Sequence, residues 1–435
     1  MQIAAELNNP RIVRAWCMYD WANSVYSLVI TSAIFPVYYK AVAKVDGGPI
    51  VTFWGFQVDN SVLYSYALSF SFLIVALMLP LLSGIADYRG QKKRFMAAFV
   101  ALGSLSCMGL YFFRDASDLG WGILCSIGAS IGYSGSLVFY DAFLPEVVTA
   151  DRYDATSARG YSMGYIGSVI LMVLCLVLIL SPTTFGFASD GDATRFSFLL
   201  TGLWWFGFAL IPFSILKDAP NPNRKKENAW TKGYAEIRKV WNSLKHTPVL
   251  KRYLIAYFFF NMGVQTVMYL AALFGTDVLH LEDSKLIGTV LVIQLVGAFG
   301  ASFFARLSKK QGNKRAIMIM IGIWILVCIT AYLIANEYQF YALAFVVGFI
   351  MGGIQALSRA TYTKLIPQNT TDHASYFSFY DVTFNLSIVF GTFSYGFINH
   401  ITGSMRNSAL ALGVFFVIGM VLLQMVKSPA IEKPQ

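Results

Sequence analysis

Charge is what this sequence has least of. Asp, Glu, Lys and Arg make up 13% of its 435 residues, about half the roughly 25% of a water-soluble protein. With 57% hydrophobic residues and a mean hydropathy of +0.58, the shortage excludes a soluble enzyme, a disordered chain and a disulfide scaffold. Cys17, Cys107, Cys125, Cys175 and Cys328 all fall in apolar runs without a C-x-x-C pair, so they read as small core residues and not as a metal or disulfide set. Histidine is scarcer still: His246, His280, His373 and His400 lie in loops or at helix ends. No H-E-x-x-H, G-x-S-x-G or G-x-x-x-x-G-K-(S/T) run occurs, which argues against an enzyme, a catalytic metal and ATP-driven transport. Arg11 and Arg14 precede an apolar run too long for a signal peptide and without a small-residue cleavage site, so the run reads as a retained first helix.

The apolar residues that are present come in runs of about 20, the length of a membrane-crossing helix and twice that of a barrel strand. Twelve such runs occur, at 16–39, 62–86, 95–113, 119–143, 160–181, 196–216, 252–275, 285–307, 316–335, 340–365, 374–398 and 408–426. The fold class is therefore an all-α membrane protein with both termini on one side. Of the 33 Lys and Arg residues, 27 lie on that side, and only Lys40, Lys44, Arg114, Arg195, Lys285 and Arg406 lie on the other. The positive-inside rule then puts both termini in the cytoplasm. Topology thus accounts for the net charge of +10 without nucleic acid. The setting expected is the inner membrane of a bacterium.

A basic stretch at 217–251 divides the helices six and six, giving bundles at 1–216 and 252–427 and a cytoplasmic tail at 428–435. The halves echo one another. Gly90-Gln91-Lys92-Lys93-Arg94 recurs as Gly312-Asn313-Lys314-Arg315, Leu144-Pro145 as Ile366-Pro367, and Tyr19-x-x-x-Asn23 as Tyr257-x-x-x-Asn261. Such duplication places a transporter's substrate between two pseudo-symmetric six-helix bundles. Helices 3, 6, 9 and 12 contain no ionisable residue, so every third helix is expected to face lipid while the others surround a wet interior. Pro145 and Pro367 read as helix stops. The segment 225–252 reads either as an amphipathic interfacial helix with Trp230 and Trp241 or as a solvated linker.

Asp87-Tyr88-Arg89-Gly90-Gln91-Lys92-Lys93-Arg94 resembles the D-x-x-G-x-(K/R)-(K/R) loop of the major facilitator superfamily, with Ser83 where a glycine is usual. Its copy at 309–315 has Lys309 in place of the acid. Tyr19-Asp20-Trp21-Ala22-Asn23-Ser24, Phe143-Leu144-Pro145-Glu146, Gly263-Val264-Gln265-Thr266 and Gly352-Gly353-Ile354-Gln355-Ala356-Leu357-Ser358-Arg359 are similar to the vacuole effluxer family and its bacterial relatives. The resemblance implies a twelve-helix facilitator fold and, from the eukaryotic members, export of amino acids. It also implies that the loop with Asp87, Gly90 and Arg94 braces helices 2 and 11 in one conformation. The bland reading of that loop is a basic cluster that holds it inside.

Polar residues recur at helical spacing. Asp20, Asn23, Ser27 and Thr31 form a stripe on helix 1, and Tyr257, Asn261, Gln265 and Tyr269 form one on helix 7. Gln355, Arg359 and Tyr362 share a face of helix 10, as do Ser378, Asp381 and Asn385 on helix 11; Tyr133 lies mid-way along helix 4. The neutral set of Ser27, Asn23, Tyr133, Asn261, Gln265, Tyr269 and Gln355 reads as the substrate-binding candidates for a small polar solute. The alternative is interhelical hydrogen bonding that fixes packing alone. Asp20, Arg359 and Asp381 are charges too costly to bury unpaired, and all three read as lying in the cytoplasmic half. Three roles stay open for them. Arg359 pairs with Asp381 or Asp20 as an inner gate, or Arg359 and Asp20 bind a carboxylate and an ammonium, or the charges are static structure. Asp20 and Asp381 are also the candidates for proton coupling.

The expected function is secondary active export of small polar solutes, amino acids first, by alternating access. A lipid or other amphiphile carrier on the same fold is the alternative. The partners expected are the solute, protons and the bilayer, with the chain working as a monomer without a cofactor.

Overall fold

The structure, a computed structural model, describes residues 7–426 apart from 45–47, 49, 54, 219–228 and 368. The basic run Asn221–Lys226 and the tail 428–435 lie outside the described residues. Among the described residues, and beside a linker helix, twelve long helices follow the expected order: α1 Pro10–Val42, α2 Asn60–Arg89, α3 Lys92–Gly109, α4 Leu119–Asp141, α5 Tyr153–Leu180, α6 Asp190–Ile215, α7 Pro248–Leu279, α8 Asp283–Gln311, α9 Asn313–Leu333, α10 Glu337–Leu365, α11 His373–Thr402 and α12 Met405–Gln424. Among the described residues, ten of them are long and apolar enough to cross a membrane by length and composition. The other two, α7 and α11, span 32 and 30 residues. The five cysteines are buried and free.

Burial follows the expected lipid-facing pattern in part. The apolar windows of α4 and α10 are 67% and 61% buried, those of α6 and α12 only 33%. Helix α2, at 39%, is as open as α3 and α9, so the every-third-helix rule is incomplete.

Three local features depart from the sequence reading. Between α1 and α2, β1 (Ile50–Phe53) pairs antiparallel with β2 (Phe56–Asp59), with Phe53 opposite Phe56. Gly55 takes the turn of this hairpin with a φ of 85°, and apolar-run counting does not see it. In α1, Tyr26–Ala33 is a π-helix, and the N–H of Ile34 reaches back five residues to Val29 O. Pro36, which has no N–H, follows this segment. The wider turn moves the polar stripe, so Ser32, not Thr31, bonds back to Ser27. Finally, α5 begins at Tyr153, seven residues before the apolar run suggested.

The linker helix Ala229–His246 is amphipathic, as one of the two readings expected. Lys239 Nζ lies 2.6 Å from Asp372 Oδ2 and 3.2 Å from Glu236 Oε2, and Ser243 and Tyr376 share a hydroxyl hydrogen bond of 2.8 Å. Burial opposes the Lys239 charge, but the Asp372 and Glu236 carboxylates outweigh it and raise its pKa.

The chain divides into two compact units. The first holds Pro10–Asp141 and Met163–Gly233; the second holds Met1–Asn9, Ala142–Ser162 and Tyr234–Gln435. The boundary cuts α5, whose first ten residues belong with α8, α9 and α10. The side chains responsible form part of the candidate site.

Candidate functional site

In the first unit the helix-1 stripe is buried. Asp20 is 4% exposed and accepts a 2.7 Å hydrogen bond from the Tyr140 hydroxyl. Tyr140 is held in turn by Trp16, whose indole N–H donates to Tyr140 O at 3.1 Å and whose ring stacks on it at 4.5 Å. Because α1 starts at Pro10, Asp20 is ten residues along it, about 15 Å. Asn23 is buried and accepts from Ser24 Oγ at 3.4 Å. Ser27 is half-buried, its hydroxyl donating to Ser24 O at 2.9 Å. Tyr133, also half-buried, packs against Tyr26 at 4.9 Å and Trp205 at 6.3 Å. In the loop after α2, Asp87 is buried, Gly90 adopts a φ of 62° and Arg94 is exposed. Lys93 Nζ donates to Leu216 O, just past the last turn of α6, at 2.9 Å.

In the second unit, α7 and α11 are joined by side chains. Gln265 Nε2 donates to Asn261 Oδ1 at 3.3 Å, and Asn261 Nδ2 to Ser387 Oγ at 2.6 Å. Tyr269 and Gln355 are half-buried. Asp381 accepts at 2.7 Å from Asn385 Nδ2. Tyrosines line the neighbourhood, Tyr257 stacked on Tyr380 at 4.5 Å and Tyr362 tilted against Tyr380 at 4.8 Å.

Arg359 is 1% exposed. Its Nε donates to Ser157 Oγ at 2.9 Å and an Nη to Ser157 O at 3.1 Å, while its guanidinium carbon lies 4.3 Å from the centre of the Tyr161 ring. One turn away, Asp154 accepts from Lys364 Nζ at 2.7 Å, Asn313 Nδ2 at 2.7 Å and Ser308 Oγ at 3.0 Å. The first turns of α5 are therefore tied to α8, α9 and α10 by a buried ion pair, a cation–π contact and several hydrogen bonds. Sequence reasoning missed Asp154, Ser157, Tyr161 and Lys364. Asp154 and Ser157, polar at i and i+3 just ahead of an apolar run, were the available signal. Among the described residues no cluster of His, Cys, Asp and Glu could hold a metal.

The model of the family described as "Vacuole effluxer Atg22 like" matches residues 8–430. The chain belongs to that family. Among its relatives, the MFS-type transporter YxiO of Bacillus subtilis is 32% identical over 414 residues, covering 95% of this chain and 94% of that one. Autophagy-related protein 22-2 of Aspergillus clavatus is 24% identical, covering 92% and 80%. Two solved structures share the fold at low identity. The human organic anion transporter MFSD10 aligns with a TM-score of 0.72 at 12% identity, covering 96% of this chain and 100% of that one. The facilitator FucP in its outward conformation gives 0.71 at 11%, covering 97% and 99%. This member of the family is thus a multi-pass membrane transporter of the major facilitator fold, with twelve transmembrane helices in two six-helix bundles, and not an enzyme.

Proposed function

We propose that this transporter exports amino acids by alternating access, with both termini in the cytoplasm. The Arg359–Ser157–Tyr161 contact serves as part of its inner gate. The observation that carries the gate is a fully buried guanidinium that meets Ser157 and Tyr161 at the start of α5, backed one turn away by the Asp154–Lys364 pair. Such a cluster is stable while closed, and opening it requires rehydrating both cations, so it acts as a two-state latch. Asn23, Ser27, Tyr133, Asn261, Gln265, Tyr269 and Gln355 supply the neutral polar groups suited to a zwitterion, and Asp20 and Asp381 the carboxylates for proton coupling. The family's description as a vacuole effluxer supports the outward direction.

The test is efflux of labelled amino acids, sugars and organic acids from proteoliposomes, with and without a pH gradient. Flux of an amino acid that falls on replacing Arg359 by Lys supports the reading; flux of none of the panel sinks it. Proton coupling fails if Asp20→Asn and Asp381→Asn each leave pH-driven flux intact. An amphiphile substrate is the second reading. It is favoured by a cavity of about 70 Å³ in the second unit, walled by Val267, Phe274, Ile293, Val347 and Leu412, which fits an alkyl end.

A further inference from the structure

Lys239 of the linker helix Ala229–His246 is neutralised by Asp372 and Glu236, and Glu236 is the only acid in that helix. Arg238 and Lys245 differ from it. Both are exposed, and among the described residues neither is bonded to a carboxylate. Two aromatic rings share their face. Tyr234, Arg238, Trp241 and Lys245 occur at i, i+4, i+7 and i+11, which is one strip of a helix, and all four are exposed. The buried Val240 and Leu244 lie on the neighbouring face and hold the helix to the protein, so the strip is not its packing surface.

The strip sits where α11 enters the apolar layer. The Trp241 ring lies 5.8 Å from that of Phe379, which is six residues, about 9 Å, along α11 from His373. From Phe379 a second strip runs down α11. Leu386, Phe390, Phe393 and Phe397, at i+7, i+11, i+14 and i+18, are each 40% exposed or more. Large apolar side chains open along one face of a membrane-crossing helix form its lipid-facing surface. Trp241 stands at the head of that surface, at the depth where Trp and Tyr collect in membranes. Helix α7 begins at Pro248, three residues after Lys245, which holds that cation at the membrane surface too.

Arg238 and Lys245 flank Trp241 by one turn on either side. A zwitterionic headgroup brings its own ammonium and gains little from them, whereas an anionic one gains from both. An acidic protein or a free polyanion would meet the cations and leave the apolar layer beside Trp241 unused. We propose that Tyr234, Arg238, Trp241 and Lys245 form a binding strip for anionic phospholipid at the start of α11. The strip does not depend on which solute is carried.

The experiment is hydrogen–deuterium exchange of the full-length protein in nanodiscs, read on peptides within 229–246. Discs of phosphatidylcholine are compared with discs in which half the lipid is phosphatidylglycerol with the same chains. Headgroup binding opposes local opening of the helix, so exchange should slow at least about threefold with the anionic lipid. The slowing should vanish in the double variant Arg238→Gln, Lys245→Gln, and unchanged exchange elsewhere in the chain checks that this variant is folded. It should persist in Lys309→Gln, Lys310→Gln, which removes two exposed cations at the end of α8. Equal exchange in the two kinds of disc, slowing that survives the first double variant, or equal loss in both would overturn the strip. If glycerophosphoglycerol, the same headgroup without chains, slows exchange as far in phosphatidylcholine discs, the ligand is a soluble anion and the lipid assignment falls.

Discussion

The two copies of the basic loop, at 87–94 and 309–315, are alike in a glycine and a lysine and differ in where their acid comes from. Each turns on a glycine with positive φ, 62° at Gly90 and 83° at Gly312. Each also sends a lysine to the end of another helix: Lys93 to Leu216 O after α6, and Lys314 to Gln424 O and Val426 O at 2.6 and 2.8 Å after α12. A cation at a helix C-terminus satisfies orphan carbonyls and opposes the helix dipole. In the first copy the buried acid, Asp87, is part of the loop itself. In the second, Lys309 occupies that position, and the acid beside the loop is Asp154, delivered by α5 to Asn313 and Lys364. Duplication kept the turn and the cap, and a change of one charge moved the carboxylate to a different helix.

The comparison can be broken most severely at Asp154. Asp154→Asn strands Lys364, whose side chain is 8% exposed, and is expected to destabilise the protein by about 3–5 kcal/mol in thermal unfolding. Lys364→Met on that background should recover most of the loss, whereas additive losses would mean that the pair is not coupled. Next come the turns. Gly312 combines its φ with a ψ of 153°, a region open to glycine almost alone, so Gly312→Ala should cost about 1–3 kcal/mol. Gly90→Ala, whose φ of 62° is left-handed helical, should cost about 1 kcal/mol. Equal losses would remove the distinction between the turns. Replacing Lys93 or Lys314 by Met should cost about 0.3–1 kcal/mol each if both lysines are helix caps, and unequal losses would end the parallel.

The smallest effect is expected at Lys239, more than half exposed, where Lys239→Met should change stability by less than about 1 kcal/mol. Because the folded-state pKa is raised, the contribution of Lys239 is fully present below the unfolded lysine value of about 10.4 and fades as pH climbs through the folded one. The native-minus-mutant difference should therefore be flat from pH 6 to about 9. A difference that changes within that range would assign the ion pair to another group.

Much of the site could be read from spacing, since a helix repeats every 3.6 residues whatever surrounds it. Asn261 and Gln265 share a stripe by spacing and are bonded in the protein, as are Asp381 and Asn385. The contacts of Arg359 with Ser157 and Tyr161 could not be read that way. Ser157 and Tyr161 are about 200 positions away, on a helical turn whose polar residues look like loop.

Hydropathy alone determined the twelve crossings, because each helix must satisfy its own backbone in lipid and needs no other part of the chain to do so. Tertiary structure decided which acid neutralises Lys364, which ring covers Arg359 and where α1 widens into a π-turn. Those outcomes depend on what a neighbouring helix presents at contact distance, and linear order does not encode that distance.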